Sequence, residues 1–186
     1  MKTLARRGAI ALAAAGSAAA LALTGVPGAG AATAACGNTP RCFGILSAQD
    51  HPLEIGTSVP VNQVTGGTTL IGMTPSPTRR EDFHVGRYGN AVIFRFAPGG
   101  ARGPLVITAT SDVSGSRPTL EPFMPGTAGS SHQFWIPVNV IGHGFRVYKN
   151  AFDNLVLTIA SNGQVQIRTM GTANGGNKNF TLSQPF

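Results

Sequence analysis

Charge is scarce in this chain, and negative charge scarcest: seven Asp and Glu stand against 14 Lys and Arg in 186 residues, so only 11% of positions are charged. So few carboxylates leave little material for acid–base catalysis across a glycosidic bond, which needs two facing carboxyl groups. There are two cysteines, Cys36 and Cys42, with no histidine near them, which excludes a zinc site of the usual spacing. The four histidines, His51, His84, His132 and His143, are dispersed and pick out no metal. No Gly-x-Ser-x-Gly elbow, His-Glu-x-x-His or phosphate-cradling loop occurs, so the expectation is a chain without catalytic residues, metal or cofactor. The arginines are scattered from Arg41 to Arg168 with no basic cluster or nucleic-acid motif, which argues against a nucleic-acid partner. Beyond Cys42 no stretch sustains the i, i+3, i+4 spacing of an amphipathic helix.

The N-terminus carries a signal of its own. Lys2, Arg6 and Arg7 precede an uncharged run from Ala9 to Leu23, 15 residues long. A membrane-spanning helix needs about 20 apolar residues, so an anchor is the weaker alternative. Gly25, Pro27, Gly28 and Gly30 break the helix, and Ala32-Thr33-Ala34 supplies the small residues that export peptidases cut after. Ala29-Gly30-Ala31 fits almost as well. Residues 1–34 are therefore expected to be a removable secretory signal, leaving 35–186 as one secreted, extracellular domain with no membrane span. Without Lys2, Arg6 and Arg7, 11 basic residues against seven acids leave a net charge of +4. An oxidising compartment makes a Cys36–Cys42 disulfide the default, closing only a small loop around Gly37 to Arg41.

What fills the remainder is short apolar runs rich in Val, Ile, Leu, Thr and Phe, punctuated by Gly, Pro, Asn and Ser. The runs recur in three related segments of four strands each, at about 43–85, 91–138 and 144–184. The first has strands at Phe43–Leu46, Pro52–Ile55, Thr69–Met73 and Asp82–Val85. The second has them at Val92–Phe96, Pro104–Ile107, Thr119–Phe123 and Phe134–Val138. The third has them at Phe145–Tyr148, Leu155–Ile159, Val165–Arg168 and Asn179–Leu182. The closing aromatics Phe83, Trp135 and Phe180 lie 52 and 45 residues apart. Three copies of a unit that cannot bury its apolar face alone predict an all-β fold of about twelve strands around a shared core. The chain ends just after the twelfth, which predicts a complete set. A Gly-rich twelve-strand sandwich is the alternative arrangement.

Phe145-Arg146-Val147 followed by a Gly/Asn loop and Phe180, together with Gln133-Phe134-Trp135, resembles the ricin-B-like β-trefoil family, whose repeats open with aromatic-Arg-aliphatic and close with Gln-x-Trp. Glu81-Asp82-Phe83 is the looser counterpart in the first segment. The resemblance implies a six-stranded barrel capped by three hairpins and shallow carbohydrate sites. Each site would use an Asp on the second strand and an Asn just before Gln-x-Trp. The Asp position falls on Glu54, on Val106 or Thr108, and on Thr158, and the Asn position on Arg80, His132 and Asn177. Glu54 and Asn177 are therefore the expected polar anchors for a glycan. Tyr88, Tyr148 and Phe152 are the aromatics to look for at the surface, with burial of Tyr148 on its strand equally compatible. Trp135, Phe83 and Phe180 are expected in the core.

A protease inhibitor is the rival reading, since β-trefoils of the Kunitz soybean type also present protruding loops and some bacteria export inhibitors. Thr74 to Glu81 holds two prolines and the basic pair Arg79-Arg80, the makings of a stiff reactive loop for an extracellular trypsin-like protease. A cell-surface interaction protein is the third possibility.

Overall fold

The computed structural model describes residues 42–48, 51–75, 83–97, 104–141, 144–172 and 178–183. The proposed signal, the Cys36 half of the proposed disulfide, Arg79, Arg80 and Asn177 lie outside the described residues.

The described residues form twelve strands: β1 Cys42–Ser47, β2 Glu54–Thr57, β3 Thr68–Met73, β4 Phe83–Tyr88, β5 Ala91–Phe96, β6 Leu105–Thr108, β7 Thr119–Pro122, β8 Trp135–Asn139, β9 Arg146–Asn150, β10 Val156–Ile159, β11 Val165–Arg168 and β12 Phe180–Ser183. Every strand read from the sequence is present. Short 3₁₀ turns at Val61–Gln63 and Ala128–Gln133 interrupt the β pattern among the described residues.

The first and fourth strands of each repeat close a ring. β1 pairs with β4, β4 with β5, β5 with β8, β8 with β9, β9 with β12, and β12 with β1, all antiparallel. A closed ring has no free edge to recruit another chain, the usual liability of exposed strands. The middle strands make three hairpins, β2–β3, β6–β7 and β10–β11, which meet over one end of the barrel. Their contacts run round a triangle. β3 pairs with β7, the Gly72 amide donates to the Gly163 carbonyl at 2.7 Å, and the Gly115 amide donates to the Ile167 carbonyl at 2.7 Å. Six barrel strands and three capping hairpins make a β-trefoil, not a sandwich.

The pseudo-threefold register is strict. Phe43 faces Phe83, Val92 faces Trp135, and Arg146 faces Phe180 across the strand pair that closes each repeat. The same three closing residues face Phe96, Asn150 and Ser47 of the next repeat. Phe83, Trp135 and Phe180 are each fully buried, as expected, and burying side chains of this size stabilises by about 2–3 kcal/mol apiece. Inside the ring, two residues along from the opening position, stand Ile45, Phe94 and Tyr148, at 0%, 0% and 1% exposure. Phe94 and Tyr148 meet edge to face at 4.8 Å. Between the first two repeats the chain reverses in two residues, Gly89-Asn90, with Gly89 at φ 60°, the left-handed geometry that tight hairpins require.

Candidate functional site

The Gln-x-Trp element turns out to be a fastening. Gln133 is fully buried, and its Nε2 donates to the Pro122 carbonyl at 2.8 Å and to Thr108 Oγ1 at 3.3 Å. Its Oε1 accepts from the Met124 amide at 2.9 Å. Trp135 Nε1 donates to the Ile107 carbonyl at 3.0 Å, tying the barrel to the second hairpin. Both side chains are spent on the fold and offer nothing to a ligand.

The register also corrects the placing of the second-strand anchor. Leu46 faces Glu54, Arg95 faces Val106, and Lys149 faces Val156, so Glu54 is equivalent to Val106 and Val156. Thr158 is equivalent instead to Thr108 and Gly56, two residues further along, where the sequence comparison had set it beside Glu54. Glu54 is 5% exposed and faces Met73 in its hairpin, so no solvent-open groove holds it. Tyr148 is likewise buried, leaving Tyr88 and Phe152, 44% and 54% exposed, as the surface aromatics among the three.

Phe152 belongs to a built feature that the linear sequence hides. Asn150 is fully buried, its Nδ2 donating to the His132 carbonyl at 3.0 Å and its Oδ1 accepting from the Phe152 amide at 3.0 Å. Asp153 Oδ1 caps the Leu155 amide at 2.8 Å, and Asn154 takes φ 61°. This locked turn sets the Phe152 ring 4.2 Å from the His132 ring, tilted 36°. His132 is the residue three before Trp135, the Asn position of the resemblance. His132 Nδ1 and Asp153 Oδ2 are buried with no hydrogen-bond partner. A second aromatic group, Tyr88 with Phe123 at 5.9 Å and Phe134 at 5.4 Å, lies at the end of β4.

At the barrel end away from the hairpins a cavity of about 590 Å³ opens, lined by Phe43, Val85, Val92, Leu182, Arg87, Arg146 and Tyr148. The Tyr148 hydroxyl is buried without a hydrogen-bond partner. Burial pushes its phenol above the ordinary value of 10.0, and the nearby Arg146 guanidinium pulls the other way. Among the described residues no cluster of His, Cys, Asp and Glu could hold a metal ion, and no helix is long and apolar enough to cross a membrane.

No protein-family model and no curated protein matches this chain. Solved structures do. A designed threefold-symmetric protein, ThreeFoil, superposes with a TM-score of 0.58 at 10% identity over 77% of this chain and 98% of its own. A salivary protein from Culex quiquefasciatus of the Cysteine and Tryptophan-Rich family gives 0.58 at 11%, over 77% of this chain and 92% of its own. The Polyporus squamosus lectin, bound to the epitope Neu5Aca2-6Galb1-4GlcNAc, gives 0.55 at 14%, over 76% of this chain and 48% of its own. At such identities the likeness speaks for architecture, and the chain is a β-trefoil whose fold is shared with lectins.

Proposed function

We propose that this chain acts outside the cell as a non-enzymatic, lectin-like protein that binds carbohydrate weakly at the Phe152–His132 turn. The carrying observation is an aromatic ring more than half exposed, on a turn locked by a buried Asn150, beside a polar side chain at the anchor position of the repeat. Phe152 offers an apolar face to the C–H side of a sugar ring. His132 Nδ1 and Asp153 Oδ2 lack protein partners, and a sugar hydroxyl admitted by a small shift of the Phe152 ring would supply one. That a lectin of the same fold is found with a sialylated glycan supports the class of ligand, not its identity.

So shallow a site binds weakly, and a densely coated array compensates by multivalent presentation. The mature protein applied to a glycan array should enrich on a subset of glycans, and Phe152→Ala should abolish that signal while leaving the thermal midpoint almost unchanged. Absence of enrichment on every glycan, or full retention by Phe152→Ala, refutes the reading.

A further inference from the structure

We infer that the open end of the barrel is a second binding site, separate from the Phe152 turn, for a carboxylate carried on an apolar body such as a medium-chain fatty acid. The threefold register makes the case. At the opening position of each repeat the three equivalent residues are Phe43, Val92 and Arg146, and two residues further inside they are Ile45, Phe94 and Tyr148. The first two repeats are apolar at both levels. Only the third departs, at both levels together, and Arg146 and Tyr148 line the same cavity.

Packing alone does not account for the substitution. A barrel mouth closed by three apolar residues needs no cation, and two repeats show what an apolar residue there looks like. Tyr148 brings a hydroxyl that is buried and unpartnered, a condition that native cores rarely tolerate without a use. Arg87 adds a second guanidinium from β4, opposite Val92 in the ladder. Among the described residues no acid lines this cavity, so two guanidiniums and a phenol share one wall without a carboxylate among them.

The ligand class follows from that lining. A planar guanidinium matches a carboxylate through parallel N–H···O bonds, and the phenol supplies one more donor to the same group. Phe43, Val85, Val92 and Leu182 give the described wall its apolar part, which suits a hydrocarbon and disfavours a heavily hydrated anion. The volume, about 590 Å³, lies within the range of small-molecule pockets.

Decanoate below its micellar concentration is the probe, with 1-decanol and acetate as partners in the comparison. Calorimetry on the mature protein should detect decanoate at one site, with decanol and acetate each at least about tenfold weaker, and decanoate should raise the thermal midpoint by mass action. Arg146→Val and Tyr148→Phe install the side chains already present at the equivalent Val92 and Phe94, so the fold has precedent for both. Arg146→Val should weaken decanoate about tenfold or more and Tyr148→Phe by a smaller factor, with decanol unchanged. Arg87→Gln, an exposed rim substitution like Arg146→Val, should also weaken decanoate and covers the case in which the buried Tyr148→Phe variant fails to fold. Glycan-array binding should survive all three, which keeps this site distinct from the Phe152 turn. No decanoate binding by the wild type, equal affinity for decanol, or affinity unmoved by Arg146→Val and Arg87→Gln would overturn the inference.

Discussion

Replacing Gln133 by alanine separates a structural Gln-x-Trp element from a ligand-binding one. The substitution removes three hydrogen bonds, at 2.8, 3.3 and 2.9 Å, from a residue with no exposed surface. It leaves the Met124 amide and the Pro122 carbonyl without their side-chain partner, and the void left by four heavy atoms adds to the loss. At about 1 kcal/mol net for each hydrogen bond, the destabilisation is about 3 kcal/mol. For a domain of this size that lowers the thermal midpoint by about 6–12 °C. Urea unfolding followed by fluorescence is a direct assay, because Trp135 is the only tryptophan and is fully buried in the folded state. Circular dichroism over the same transition checks that unfolding is two-state. A loss below about 1 kcal/mol, or a Gln133→Ala protein that stays fully folded but loses glycan binding, would contradict the structural role.

Three other outcomes are expected. Gly72→Ala should destabilise by about 1–3 kcal/mol in the same urea assay, because its Cβ would sit 2.7 Å from Ile159 Cγ2 where two capping hairpins meet; an unchanged midpoint would mean the cap is looser than described. Tyr148 has its folded pKa raised, so the neutral phenol is the form the fold favours, and the associated stability is complete below about pH 10 and lost as pH climbs through the folded value. Stability measured against pH should therefore fall on the alkaline side more steeply in the wild type than in Tyr148→Phe, and identical alkaline limbs would refute it. Trp135→Phe should cost about 1–2 kcal/mol through the lost bond to the Ile107 carbonyl, and circular dichroism must replace fluorescence as the readout.

The strands were legible because alternation and turn chemistry are local. Gly, Pro, Asn and Ser clusters between apolar runs, and the aromatics at 83, 135 and 180, announce strand ends and a shared core without reference to anything distant. Glu54 marks where such reasoning stops. Alternation tells which face a side chain occupies, but a slip of two residues keeps the same face, so only the ladder could set Glu54 beside Val106 and Val156. The Phe152–His132 contact was out of reach for a related reason: the two residues are 20 apart and meet through Asn150, whose buried amide looks like any other strand-end asparagine in the sequence. Arg146 and Tyr148 did leave a signal, as polar departures at repeat positions that are apolar elsewhere, but the motif Phe145-Arg146-Val147 placed the aromatic where the ladder places the arginine.

By itself the sequence determined that this chain is all-β, that it is built of three four-strand units, and that three buried aromatics close them. Those properties depend on the period of side-chain polarity and on turn residues, which act over a few positions. Tertiary structure alone decided which residues face one another across the threefold axis. Ring closure sets the register between strands far apart in the chain, and from that came the fastening role of Gln133, the burial of Glu54 and the convergence of Arg87, Arg146 and Tyr148 at the barrel mouth.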